Sequence, residues 1–201
     1  MKSSSEVPSR EGVVHVFDRI APTYDLLNRL LSFRRDVAWR NTLISHLPTD
    51  TPIELLDLAT GTADVLIAAK KRVPNLSHGL GLDVSEQMLA QGRKKLKSLG
   101  LTDTLELRQG DATALELPDA AFDIVTIAFG IRNVMNTEAA LAEMLRVLKP
   151  GGQALILEFS LPENALVRSI YLLFFRHILP RLGGLISGDR QAYQYLNRTV
   201  E

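Results

Sequence analysis

The residues best suited to chemistry lie at the ends of short apolar runs. Ile53-Glu54-Leu55-Leu56-Asp57-Leu58 is followed by Ala59-Thr60-Gly61-Thr62-Ala63-Asp64, and then by the helix-forming run Val65-Leu66-Ile67-Ala68-Ala69-Lys70-Lys71. Strand, glycine turn and helix present backbone N–H groups to a nucleotide-like ligand. Only Gly61 survives of the glycines such a loop usually carries; Ala59 and Ala63 hold the neighbouring places. A second apolar run, from Ser77 to Leu82, ends in Asp83, about twenty residues after Gly61, the spacing at which an acid grips a ribose. A carboxylate suits that task because its two oxygens accept from adjacent hydroxyls. Asp83 could equally cap the next helix, a role open to Ser85 as well.

These residues need a frame. The chain has 201 residues, 46% hydrophobic, with a formal net charge of zero, which describes a soluble globular domain and not a nucleic-acid binder. Cysteine is absent, excluding disulfides and thiol nucleophiles, and four scattered histidines give no metal-binding pattern, so no metal is expected. The polar, Ser-rich start lacks a secretory signal, and a cytoplasmic protein is the expectation. Residues 1–12 read as a flexible tail and 13–201 as one domain. Within it, 13–50 form a helical cap, 51–160 a cofactor-binding core and 161–201 an apolar helical segment.

In the cap, apolar residues recur at helical spacing over 13–31, interrupted by Pro22, which predicts two short helices or one kinked helix, and a further helix covers 36–47. The cap is expected to lie over the nucleotide site. A helix over 86–98 stops at Gly100, a strand covers 105–109, and Gly110-Asp111-Ala112 turns at its end. A strand over 122–128 opens into Phe129-Gly130-Ile131-Arg132-Asn133-Val134. A helix over 138–148 stops at Lys149-Pro150-Gly151-Gly152, before a strand over 153–159. The alternation predicts an α/β fold, a doubly wound, mostly parallel sheet. Residues 165–187 are rich in Leu, Ile and Phe but interrupted by charges, Pro180 and Gly183-Gly184, so they do not span a membrane. They read as a core or dimer helix, or as an apolar surface for a lipid or a peripheral membrane contact.

Three stretches resemble a known family. They are Tyr24-Asp25-Leu26-Leu27-Asn28-Arg29-Leu30-Leu31-Ser32-Phe33 with Trp39-Arg40, Phe129 to Val134, and Arg146-Val147-Leu148-Lys149-Pro150-Gly151-Gly152 with Leu157-Glu158-Phe159-Ser160. The chain resembles the class I S-adenosylmethionine-dependent methyltransferases, and more narrowly the C-methyltransferases of ubiquinone and menaquinone biosynthesis. The resemblance implies S-adenosyl-L-methionine as cofactor and a lipophilic, prenylated quinol as substrate, demethylmenaquinol or its ubiquinone-pathway counterpart. It implies that Gly61 and Thr62 face the methionine part, Asp83 the ribose, and Asp111 and Ala112 the adenine. Ala128 stands where the family often has Ser, so a polar contact is expected to be missing there. Ala63 stands where many members carry Gly, and weaker or adjusted binding is expected. Asp36 stands where members can have His.

For chemistry, the resemblance implies Arg132 as the cation that stabilises phenolate charge, Asn133 as the residue that orients a hydroxyl, and Tyr24 as a group closing over the substrate. By residue type alone, Arg132 could pair with Glu138 or Glu158, Asn133 could be a turn residue and Tyr24 core. Family members usually add two C-terminal strands; nothing after Phe159 reads as a strand, so an open sheet edge favouring edge pairing, homodimerisation or marginal stability is expected. The alternatives are a methyltransferase for another small acceptor and a non-catalytic cofactor-binding scaffold.

Overall fold

The computed structural model describes residues 10–32 and 34–160, together with residues 163, 164, 168, 169 and 173. Three helices come first: α1 (Arg10–Ile20), α2 (Tyr24–Leu31) and α3 (Arg35–Ile44). The break at Pro22 falls where the sequence places it, but α1 opens at Arg10, inside the expected tail, and α3 ends three residues before Leu47. The rest alternates: β1 (Ile53–Leu58), α4 (Asp64–Arg72), β2 (Leu76–Asp83), α5 (Glu86–Leu99), β3 (Leu105–Gln109), β4 (Phe122–Ala128), a short 3₁₀ turn (Ile131–Asn133), α6 (Thr137–Val147) and β5 (Leu148–Leu157).

The five strands form one parallel sheet in the order β3-β2-β1-β4-β5. β1 is central and almost wholly buried, which its unbroken apolar character anticipates. Its side chains alternate between two cores. Ile53 and Leu55 face a layer with Leu43, Ile44, Leu66, Leu89 and Leu96 from α3, α4 and α5. Leu56 and Leu58 face the other layer with Val125, Ile127, Met144 and Val147. Helices on both faces make the sheet doubly wound, as expected.

Chain order reverses between β1 and β4, and a crevice opens there beyond the C-terminal strand ends. The sequence placed the last strand too late. Its ladder starts with Phe122 opposite Leu148 and resumes with Ile124 opposite Gln153, so Lys149-Pro150-Gly151-Gly152 bulge out between paired residues. Pro150 and the left-handed Gly151 (φ +84°) are tolerated because β5 lies at the sheet edge among the described residues. The expectations for 165–187 and for the rest of the C-terminal segment lie outside the described residues, apart from isolated positions. No helix among the described residues is long and apolar enough to cross a membrane.

Helix α5 carries both of its sequence signals. Ser85 caps its start, the hydroxyl accepting from the Met88 N–H at 3.1 Å. Gly100 ends it in the left-handed conformation (φ +66°), with open space where a Cβ would stand. Gly100→Ala therefore meets no clash and only the left-handed penalty. We expect a loss of about 1 kcal/mol in a urea titration, with an unchanged slope.

Candidate active site

At the switch point lies a cleft with about 770 Å³ of space, open to solvent. Two loops form its floor, Ala59-Thr60-Gly61 after β1 and Asp83-Val84 after β2. Gly110-Asp111-Ala112 and Ala128-Phe129-Gly130 form walls, with Asn133, Val134 and Met135 beyond. Val13 and Phe17 of α1 and Tyr24 of α2 complete the lining, so the cap does lie over the cleft.

A hydrogen bond to Asp83 joins the two floor loops, beside one from the Thr60 N–H to the Leu82 carbonyl at 3.0 Å. The Gly61 N–H donates to Asp83 Oδ2 at 2.8 Å, and the Ser85 N–H donates to Asp83 Oδ1 at 2.9 Å. Burial pushes the Asp83 carboxyl up from its ordinary pKa, against the pull of these N–H groups. Each oxygen keeps a lone pair for a further donor. Ser85, not Asp83, caps α5, so Asp83 is left to face the cleft. Gly61 adopts φ +56°, and Ala59 and Ala63 adopt left-handed values too, +50° and +68°. Phe129 is left-handed as well (φ +59°). For non-glycine residues this conformation costs about 1–2 kcal/mol each, strain that functional sites tend to hold.

Of the residues the sequence nominates, Gly61, Asp83, Asp111, Ala112, Ala128, Asn133 and Tyr24 line the cleft together. Asp111 is partly engaged locally, its Oδ1 accepting from the Thr113 N–H at 2.9 Å and from the Thr113 hydroxyl at 2.8 Å. Tyr24 is half-buried, and burial raises its phenol pKa against the hydrogen bond to Asn28 and the charges of Arg40 and Arg132.

Two nominees do not line the cleft. Thr62 is buried, and its hydroxyl donates to Asp25 Oδ1 of α2 at 2.6 Å. The loop leaves Gly61 in the left-handed region, and the Thr62 side chain is turned toward the cap instead of the ligand space. Arg132 pairs with Glu158, one of the partners its residue type allowed, but not on the surface. Their side chains are only 15% and 19% exposed. The Arg132 guanidinium also lies 5.1 Å from the centre of the Phe159 ring.

Three features went unseen in the sequence. Trp39, Phe129 and Phe159 form an aromatic cluster, with Phe129 and Phe159 stacked at 4.5 Å and Trp39 edge-on to both. Arg40 is buried beside it, 5.7 Å from the Phe129 ring centre, and bonds Asp36 at 2.7 Å. Burial would raise the Asp36 carboxyl, but hydrogen bonds from Ser32 and Arg40, and the Arg40 charge, leave it lowered. Asp36 is thus the anchor of Arg40, which answers its open role. Finally Asp57, on the helix-covered face of β1, accepts from Thr60 and Thr126 hydroxyls, each at 2.6 Å. No apolar periodicity betrays such partners, which lie on the following loop and on β4.

A family model described as the ubiE/COQ5 methyltransferase family matches residues 4–201. The chain belongs to the ubiE/COQ5 methyltransferase family. It is 46% identical over 186 residues to the demethylmenaquinone methyltransferase of Thermus thermophilus, covering 92% of this chain and 83% of that relative. It is 44% identical over 190 residues to a ubiquinone/menaquinone biosynthesis C-methyltransferase of Geobacter sulfurreducens, covering 94% and 74%. In structure it resembles a SAM-dependent methyltransferase of Thermotoga maritima, with TM-score 0.61 and 23% identity over 81% of this chain and 69% of that one; this likeness speaks to the fold. Within the ubiE/COQ5 family fold, the cleft therefore sits where a class I Rossmann-like sheet is expected to bind its ligand.

Asp57 gives this site a pH signature. Burial pushes its carboxyl from the ordinary 3.8 up to about 6, despite the two threonine hydroxyls and Arg40. The native state then holds a proton that the unfolded state has released. Stability from this group is highest below about pH 4, falls as pH rises and levels off above about pH 6. In Asp57→Asn this dependence disappears. We expect the stability of wild type minus that of the variant to fall by about 2 kcal/mol between about pH 4 and about pH 7, read from denaturant midpoints.

Proposed function

We propose that the protein transfers a methyl group from S-adenosylmethionine to a ring carbon of a prenylated quinol. Demethylmenaquinol, or the equivalent intermediate of the ubiquinone pathway, is the acceptor. The observation that carries the reading is the meeting, in one cleft, of Asp83 and Asp111 with Tyr24 and Asn133 under a helical cap. The relatives named above supply the substrate class.

The residues suit the cofactor. Asp83 and Asp111 contribute acceptor-only carboxylates at the ends of β2 and β3, appropriate to ribose hydroxyls and to an exocyclic amine. Val13, Phe17, Met88 and Ala112 give an apolar lining suited to a purine. At Gly61 a Cβ would stand 3.5 Å from Met88 Cε at the cleft floor, and its left-handed backbone would be strained with any side chain. When bound, S-adenosylmethionine supplies an electrophilic methyl group on a sulfonium.

The chain's own residues hold and activate the acceptor. A ring carbon becomes nucleophilic when a neighbouring hydroxyl loses its proton to solvent. Once the carbon has taken the methyl group, leaving a neutral thioether in place of the sulfonium, it releases its ring proton and aromaticity returns. Arg132 stands outside the cleft lining, but its charge reaches Tyr24 there; held by Glu158 and the Phe159 ring, it stabilises that phenolate charge through its field. Arg40 adds a second buried cation whose charge reaches Tyr24. Tyr24 keeps its phenolic proton at neutral pH, because burial raises its pKa, and donates to a quinol oxygen. Asn133, also in the lining, orients the acceptor. Val13 and Phe17 exclude water. A prenylated acceptor would bring the enzyme to a membrane surface, and the apolar composition of residues 165–187 suits a peripheral contact from the cytoplasmic side.

Calorimetry and turnover separate the roles. Asp83→Ala should weaken S-adenosylmethionine binding by more than about tenfold. Arg132→Ala should lower turnover of a reduced demethylquinone by about a hundredfold while leaving cofactor affinity within about threefold. A wild-type chain that binds the cofactor but methylates no quinol would overturn the substrate assignment; loss of cofactor affinity in Arg132→Ala would overturn the role given to that residue.

A further inference from the structure

The cap reaches the two cofactor loops through aspartates outside the cleft lining. Asp18 of α1 accepts from the Ser85 hydroxyl at 2.6 Å, and Ser85 follows Asp83 closely and donates its own N–H to it. Asp25 of α2 accepts from the Thr62 hydroxyl at 2.6 Å, and Thr62 directly follows Gly61. Lys95 of α5 ties this second contact down, reaching Asp25 Oδ2 at 2.8 Å, Thr62 Oγ1 at 2.9 Å and Asp64 Oδ1 at 2.5 Å. Asp64 in turn takes Arg40 at 3.6 Å and Arg29 at 3.5 Å, both from the cap.

The pattern is the same at both loops. A cap aspartate takes the hydroxyl of a residue adjacent, or nearly so, to one member of the Gly61–Asp83 bond. Asp18 lies one residue from Phe17, and Asp25 directly follows Tyr24; Phe17 and Tyr24 both line the cleft, and their rings meet edge-on at 6.2 Å. The same two helices therefore carry the aspartates and the lining groups.

We infer that Asp18 and Asp25 are positioning residues that couple closure of the cap to the shape of the cofactor loops, through Ser85 and Thr62. Lys95 stands between Asp25 and Asp64, and with Arg40 and Arg29 on Asp64 it offsets their charge, so that two carboxylates can share one ammonium. The inference rests on the cofactor reading above, though not on the identity of the acceptor. Its consequence is ordered assembly. Loops set by the cofactor present Thr62 and Ser85 in the geometry the cap requires, and the docked cap places Tyr24 where the acceptor must lie. Cofactor and acceptor then bind with positive coupling.

The test is a thermodynamic cycle on cofactor affinity. Asp25→Asn, Thr62→Val and the double variant are titrated calorimetrically with S-adenosylmethionine, and Asp18→Asn in parallel. Each single variant should weaken binding by about tenfold, and the double variant by little more than either single one, because both break one contact. Lys95→Met should reproduce the loss. Turnover adds a readout that a purely structural role would not move: kcat for a reduced demethylquinone should fall in Asp25→Asn at saturating cofactor and well below the melting temperature, because Tyr24 is misplaced. Variants that bind as tightly as wild type, or whose effects at Asp25 and Thr62 simply add, would overturn the inference. So would variants with a lowered melting temperature but unchanged affinity and kcat. Failure of the unmodified chain to bind would instead overturn the cofactor reading itself.

Discussion

The structure turns on one hydrogen bond, from the Gly61 N–H to the Asp83 carboxylate. β1 and β2 are neighbours in the sheet, so the loops that leave them run side by side, and something must hold them together without filling the cleft beside them. The Gly61 backbone can approach Asp83 because it adopts a left-handed turn. Asp83 can accept it because Ser85, and not Asp83, caps the next helix. The bond fixes the distance between the loops at the ends of β1 and β2. The cap aspartates, the Lys95 cluster and the cleft lining are all placed with respect to that distance.

Around this floor, charge is organised in pairs rather than scattered. Arg132 leans on Glu158, Arg40 on Asp36 and Asp64, and Lys95 on Asp25 and Asp64. The pairs are sheltered to differing degrees, the Arg40–Asp36 pair most of all, and each spans two elements or, for Asp36 and Arg40, one turn of α3. Such pairs contribute modestly to net stability, since removing charge from water is costly. They do hold long, otherwise floppy side chains in one orientation, which is what a site needs when it must stabilise charge on a bound ring.

Much of the frame was legible in the sequence. Apolar runs such as 53–58 and 122–128 are buried on both faces, so their strands announce themselves by composition alone. The Pro22 break and the Gly100 stop follow from backbone chemistry that no tertiary contact overrides. The cleft residues that sit at strand ends, Asp83 and Asp111, were also readable, because strand position fixes where they must lie. The misses share one cause. The resemblance points Thr62 at the ligand, but its side-chain direction is decided by Asp25, thirty-seven residues away. Asp57 looked like an ordinary strand residue, and only Thr126 on the neighbouring strand gives it partners. The late start assigned to β5 reflects trust in Lys149-Pro150-Gly151-Gly152 as a terminator, whereas an edge strand can let those residues bulge and resume pairing beyond them.

Ala59 and Ala63 bear on how the loop behaves before any ligand arrives. Both hold the left-handed backbone that glycine adopts freely. A methyl group at each position removes much of the conformational freedom a glycine would have there, in the unfolded chain and in any loosened form of the loop alike. Alanine also carries a left-handed penalty that glycine would not, so the loop is strained in the shape it holds and the contacts around it must keep it there. Contacts made by a ligand at Gly61 and Asp83 add to that restraint. Relative to a glycine-rich loop, this floor leans more heavily on what is bound to it.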